Sequence, residues 1–395
     1  MKKTLPLLIL LITFSLFSKA QDAFQTSNVV NNIYTNPGFA GSKNMVRVSM
    51  SNQLTWYSAL HKTMFNSMVA DFPVGNLGIG FSGAYNTLSD GLQINKGDLM
   101  LSYKIGNLRK IIVRPGISAS YFGSNYDFDK LVFYDQLSVY DGANTGIPTA
   151  AELNITSFNI VDVSAGVVSQ FPIDVRRTDP AWVNLGFAMH HIANNEYSSL
   201  GTSGVFYPKK FTAHGGIFIP MYHRDYVTKL RERSKIMFYP NFKYQLQGDF
   251  SLINVGMLAY RAPIVFGIAA QTFQNPSVFN KNQLVTTAGY ETAIGKYMSL
   301  QLMYNLDWGS SFTTHLKNSP VFLTHEFSIV IIFANKRKTD CSTDLAFHKK
   351  RWFNNNEVQQ RHEGECPPGK TPRRYSEQTK PVFYPFELPK AYIGF

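Results

Sequence analysis

Nine histidines and two cysteines are the side chains best suited to chemistry in this 395-residue chain. The closest pair is His190-His191. Successive residues of a strand point to opposite faces, so the two imidazoles are not expected to share one metal ion. His325-Glu326 meets the same objection. Cys341 and Cys366 lack the CxxC spacing of a zinc or redox site. No GxSxG elbow, phosphate-binding glycine loop or HExxH helix occurs. A barrel hydrolase that gathers Ser, His and Asp from separate strands leaves no spacing signature. The residues therefore point to a protein that is not an enzyme, with no catalytic, metal or cofactor site.

The elements that would position any such group are strands. In Asn76–Tyr85, Leu77, Ile79, Phe81 and Tyr85 fall on one side of an extended chain, and Gly78, Gly80, Ser82 and Ala84 fall on the other. This is the period-two pattern of a strand with one oily face. Similar segments recur from about 43 to 334, near 43–57, 61–72, 76–88, 93–106, 109–123, 156–170, 181–192, 208–220, 234–247, 249–261, 263–274, 280–294, 297–307 and 320–334. The fold expected is all-β, a transmembrane antiparallel β-barrel of about 14 strands, an even number. Tight turns at Pro73-Val74-Gly75, Gly106-Asn107-Leu108, Arg261-Ala262-Pro263 and Gly295-Lys296 fall on one side. Longer connections at 126–155, 193–207 and 308–319 fall on the other, the asymmetry of periplasmic turns and surface loops. The longer, charged connections 171–180 and 222–233 are exceptions on the turn side.

The faces obey one parity. Met298, Leu300, Leu302, Tyr304 and Leu306 alternate with Ser299, Gln301, Asn305 and Asp307. In the last strand Leu323, Phe327, Ile329, Ile331 and Phe333 are expected to meet lipid, and Thr324, Glu326 and Ser328 to face inward. Arg47, Asp98, Lys104, Arg114, Lys243 and Glu291 also fall on the inner face. A Lys or Arg on the lipid face near mid-bilayer costs about 2–4 kcal/mol, so the parity carries energetic weight.

Composition agrees. The chain is 44% hydrophobic, 14% aromatic and 16% charged, with a mean hydropathy of -0.13. Helical membrane proteins show repeated apolar runs near twenty residues, and none follows the first twenty positions. The net charge of +12 is spread over turns and tail, with no basic helix or aromatic RNA motif, so nucleic acid is not an expected partner.

Residues 1–20 read as a signal peptide: Lys2 and Lys3, an apolar run from Leu5 to Phe17, then Ser18-Lys19-Ala20 as the cleavage site. The mature chain would begin at Gln21. Residues 21–42 form a lead that is not strand-like and either leaves the lumen open or folds inward as a plug. Residues 43–334 are the outer-membrane barrel, with both termini expected in the periplasm. Residues 335–395 are a basic, proline-containing periplasmic tail, either flexible or ordered around its aromatic clusters. Export allows a disulfide to persist, so Cys341 and Cys366 are candidates for a bridge.

Gln21-Asp22, then Asn36-Pro37-Gly38-Phe39-Ala40-Gly41-Ser42, then Asn52-Gln53-Leu54-Thr55-Trp56, occur in that order. This order resembles the PorP/SprF family of type IX secretion systems, with further likeness at His325-Glu326. The motif residues are Asn36, Pro37, Phe39, Ala40, Gly41, Asn52, Gln53 and Trp56. Gly38 and Ser51 depart from the family's usual Ala and Arg. The resemblance implies an outer-membrane accessory of type IX secretion that supports export or surface attachment of a large adhesin, gliding-type partners included. Its implied partner is a secreted surface protein with a type IX C-terminal sorting domain, and periplasmic ring or peptidoglycan-linked components are further candidates. A passive channel or hydrophobic-solute transporter is the alternative. The candidate docking surface is the longest loop, where Tyr126, Asp127, Phe128, Phe133, Tyr134 and Tyr140 combine charge with aromatic anchors, with Asp129, Asp135 and Asp141 beside them. The same aromatics could instead form the loop's own small core.

Overall fold

The computed structural model describes residues 22, 26, 30–43, 45–55, 63–88, 91–106, 111–127, 136–138, 142–143, 157–173, 181–195, 206–224, 233–261, 263–275, 279–294, 298–308, 323–333, 341–342 and 371–372. Fourteen long strands follow one another: β1 (Val46–Thr55), β2 (Thr63–Val74), β3 (Leu77–Leu88), β4 (Leu92–Tyr103), β5 (Ile112–Tyr126), β6 (Ser157–Ile173), β7 (Ala181–His190), β8 (Lys210–Arg224), β9 (Arg233–Gln247), β10 (Phe250–Arg261), β11 (Ile264–Asn275), β12 (Phe279–Ile294), β13 (Met298–Asp307) and β14 (Thr324–Phe333). Each pairs antiparallel with its neighbour in sequence. β1 also pairs with β14, from Val46↔Phe333 to Thr55↔Thr324, and this closes the sheet. Closure leaves no ladder edge to be desolvated in lipid, which is why a membrane admits such a sheet.

The sequence alternation maps onto the wall. Gln301, Asn305 and Asp307 are buried inside β13, while Tyr304 is exposed. Glu326 and Ser328 of β14 are buried, and Phe327 and Phe333 are exposed. Arg47, Asp98, Arg114 and Lys243 are buried as well, whereas the exposed outer face carries Phe81, Ile117, Val255, Ile264 and Phe266. Two-residue hairpins need a left-handed backbone, supplied by Gly75 at φ 64 and Gly248 at φ 59. The first of these turns is Gly75-Asn76, because β2 runs on through Pro73 to Val74.

The barrel has two rims. Val46 and Phe333 lie at one, called here the near rim; Thr55 and Thr324 lie at the other, the far rim. In the tail, Cys341-Ser342 pairs with Thr371-Pro372; Cys366 lies outside the described residues.

Candidate functional site: the filled lumen

The lead enters the barrel. It forms a short helix, α1 (Asn32–Thr35), and a single 3-10 turn over Pro37–Phe39. Asn36 caps that turn: its Oδ1 accepts from the Gly38 N–H at 2.9 Å. Pro37 follows at the first position, where its missing N–H removes no bond. The run that reads as a loop in the sequence is therefore a folded knot of about one turn.

Among the described residues, each of three apolar clusters in the barrel interior contains a lead residue. Phe39 joins Val168, Trp182, Phe218, Met237, Tyr239, Leu258, Tyr260 and Val265. Val30 joins Met303, Val330 and Ile332. Ile33 and Ala40 join Val69 and Met100. Burial of a Phe, Ile or Val side chain contributes about 1.5–3 kcal/mol each, so these keys hold the lead strongly.

Polar contacts fix its orientation. The Asn36 carboxamide nitrogen lies 3.0 Å from the carbonyls of both Val167 and Phe187, a register pair of β6 and β7. It is also 3.2 Å from His214 Nε2. Asn36 is wholly buried. Asn31 accepts from Ser49 Oγ at 2.7 Å and donates to Ser67 Oγ at 3.3 Å. The Thr26 N–H donates to Gln53 Oε1 at 3.2 Å. At the near rim Asp71 holds Arg47 Nε at 2.6 Å and the Gly41 N–H at 2.9 Å. Lys43 sits beside them; burial, with Arg47 adding repulsion, pulls its amine down to about 7.

The wall is cut away where the backbone of the lead passes. A Cβ on Gly116 would stand 2.5 Å from Gly38 N. One on Gly78 would collide with the Ala40 carbonyl, and one on Gly166 with the Asn36 side chain. These are close-approach glycines: the space a side chain needs is occupied by the lead.

At the far rim the lead ends, among the described residues, in Asp22. Its carboxylate receives Lys210 Nζ at 2.5 Å, Tyr207 Oη at 2.6 Å and His191 Nε2 at 3.1 Å. Its own N–H donates to Gln247 Oε1 at 3.1 Å. Asp162 Oδ2 holds the other ring nitrogen of His191 at 2.9 Å. Burial opposes the charge on Asp22, but Lys210 and His191 outweigh it and hold its pKa well below the ordinary carboxylate range. The lead thus runs from Asp22 at the far rim to Lys43 at the near rim, so Asp22 and Phe333 lie at opposite rims, where the sequence reading expects both ends on one side.

The structure brings together Asn36, Pro37, Phe39, Ala40 and Gly41 inside the lumen, and Gln53 on the wall meets the lead at Thr26. Asn52 is separated from them. It lies on the outer face, where its Nδ2 is 2.5 Å from Asn66 Oδ1. Trp56, Phe128, Phe133, Tyr134 and Tyr140 lie outside the described residues. Tyr126 ends β5, and the Asp127 N–H donates to the Gly91 carbonyl at 2.8 Å. Among the described residues no group of His, Cys, Asp and Glu could hold a metal ion. His325 and Glu326 do take opposite faces: His325 Nδ1 is 2.7 Å from Tyr304 Oη outside, and Glu326 accepts from Ser51 Oγ at 2.9 Å across the closing seam inside. For His190-His191 the alternation argument fails. His191 has φ 61 and leaves the strand, so both rings are buried, 6.5 Å apart. Sequence spacing missed His191, Tyr207 and Lys210 as neighbours of Asp22, because only the far-rim geometry joins them.

The family model for type IX secretion system membrane protein PorP/SprF matches residues 17–331. The chain belongs to the PorP/SprF family. It is a secretion-system membrane protein of the outer membrane, in a family that is not one of enzymes. A search of curated proteins found no match. Several solved structures are similar to the chain. CdiB from Acinetobacter baumannii has 11% identity and a TM-score of 0.41, over 74% of this chain and 60% of that one; this chain thus spans less than two thirds of CdiB. The Ralstonia pickettii toluene transporter TbuX has 10% identity and a TM-score of 0.38, over 79% and 94%. The Pseudomonas putida toluene transporter TodX has 10% identity and a TM-score of 0.35, over 80% and 98%.

Proposed function

We propose that this PorP/SprF barrel supports export or cell-surface attachment of a large secreted adhesin by binding it. The observation that carries the proposal is the filled lumen. A barrel in which, among the described residues, three interior clusters each take in its own lead is suited to holding a partner at its rims rather than to conducting solutes. The far rim, which carries the long connections 127–156, 191–209 and 308–323, is assigned to the cell surface, and the near rim to the periplasm. Signal-peptide removal at Ala20 then precedes seating of the lead. The partner is a secreted surface protein with a type IX C-terminal sorting domain, a gliding adhesin in this reading. The loop from Tyr126 to Ile155 is its docking surface, through the aromatic and acidic residues named above. The periplasmic tail, 335–395, with Cys341 and Cys366 bridged, faces ring or peptidoglycan-linked components. The channel alternative requires the lead to withdraw.

Co-purification of the tagged protein from its native outer membrane, followed by mass spectrometry, tests this. A large secreted protein carrying the sorting domain is the expected companion, lost when the tip of the 126–155 loop is deleted from a barrel that still folds. A folded, loop-trimmed barrel that retains its companion would remove the loop from the account. A full-length barrel that purifies alone would remove the attachment role.

A further inference from the structure

The surroundings of Asp22 are built by the barrel, not by the lead. Lys210 opens β8, Tyr207 precedes it, His191 follows β7, Gln247 ends β9 and Asp162 belongs to β6. Four of these groups read one residue in two ways. Lys210, Tyr207 and His191 read the carboxylate, and Gln247 reads the peptide N–H. Free acetate lacks that N–H, and a peptide's C-terminal carboxylate presents it in a different geometry. The cradle therefore recognises an aspartate within a peptide. Asp162 fixes the His191 ring that faces Asp22, so the site is braced from behind.

The two ends of the lead are held differently. Its deep part is keyed by shape, through Val30, Ile33, Phe39 and Ala40 and the glycines opposite them. The two described residues N-terminal to Val30, Asp22 and Thr26, are both polar. The rim end is held there by charge and hydrogen bonds. Simple departure of Asp22 would leave Lys210 facing His191 with their shared anion gone, which is costly at a partly buried site. Exchange for another aspartate remakes every bond.

We infer that the far-rim cradle is a binding site for an aspartate-bearing peptide, filled in cis by Asp22, and that an acidic segment of another polypeptide takes the same place when the rim end of the lead lifts. A short tether keeps Asp22 at an effective concentration on the order of millimolar, so the site is masked until a competitor or a partner docked nearby raises its own local concentration. Such a site would serve the attachment role proposed above. Its probe is a defined peptide, so failure to bind leaves that role standing, and absence of a co-purifying adhesin leaves the cradle standing.

The test uses the full-length protein in detergent micelles and a fluorescent heptapeptide, Gln-Asp-Ala-Phe-Gln-Thr-Ser, labelled at its C-terminus. Anisotropy should show Asp22→Ala binding the peptide at least ten-fold more tightly than the unaltered protein. The same peptide with Asn for Asp should not bind, and Lys210→Met added to Asp22→Ala should abolish binding. Asp22→Asn, isosteric and neutral, should give the same order and serves if the alanine variant fails to fold on a heat-modifiability gel. Equal binding to the unaltered protein and the folded Asp22 variants, no binding to any of them, or equal binding of the Asn peptide would overturn the inference and leave Asp22 a structural clamp.

Discussion

The carbonyl of Ala40 lies against Gly78 of β3 so closely that no side chain fits between them, and Ser102 Oγ donates to that same carbonyl at 2.6 Å. The wall strand and the lead motif are complementary at the level of single atoms. Gly78→Val should therefore unseat the lead, at a cost of about 1–3 kcal/mol or more for overpacking. Gly83 provides the control: a Cβ there meets nothing within 4 Å. Denaturation midpoints of the detergent-folded protein should fall for Gly78→Val and hold for Gly83→Val. Equal shifts would mean that the wall glycines do not accommodate the lead.

Asn36→Ala removes the cap of the 3-10 turn and leaves the carbonyls of Val167 and Phe187 without that donor. Each buried group left unsatisfied costs about 1–3 kcal/mol. Phe39→Ala opens the largest cluster, at roughly 3–5 kcal/mol. Both should lower stability while the barrel still inserts. The check is the same unfolding curve together with outer-membrane fractionation.

Leu302→Arg and Gln301→Arg should fail in different ways. Leu302 faces lipid, and a charge there costs about 2–4 kcal/mol near the midplane, so membrane assembly suffers. Gln301 is 2% exposed and has no room for a longer side chain. Its variant should assemble but displace the lead. Heat-modifiable mobility reports the first defect and bilayer conductance the second. The same defect in both would refute the face assignment.

Much of this was readable in advance, for a local reason. Alternation such as Met298 to Asp307 needs only neighbouring residues, and it places Gln301 and Asn305 inside without any knowledge of the barrel. The filling of the lumen was not readable, because it depends on residues far apart meeting: Gly38 against Gly116, Asn36 against Gly166. Gly78 and Gly80 read as a small face, and nothing local tells that Ala40 and Ile33 occupy the space. The facing of His191 is not legible, because its positive φ ends the alternation there and no glycine or proline marks the spot. Asn52 and Gln53 form one sequence motif, yet strand parity sends them to opposite faces.

The rim latch should depend on pH. Burial opposes a charged His191, but Asp22 and Asp162 outweigh it and raise its pKa. That share of stability is complete below roughly 6.5, the unfolded value, and is lost as pH rises through the higher folded value. The lowered pKa of Asp22 contributes above roughly 3.9 and is lost as pH falls through its lower folded value. The latch is therefore tightest between about pH 4 and 6.5 and loosens on the alkaline side first. Hydrogen exchange at the Asp22 amide should quicken, beyond its intrinsic rate, on going from pH 6 to pH 9. His191→Gln should flatten that dependence; an unchanged slope in the variant would show that another group controls the latch.

Single-channel recording in planar bilayers addresses the central claim most directly. A barrel filled by its own lead and acting by binding should be nearly silent, and Gly78→Val should open steady current in the same membrane. A large, stable conductance from the unaltered protein would contradict the filled lumen and favour a passive channel.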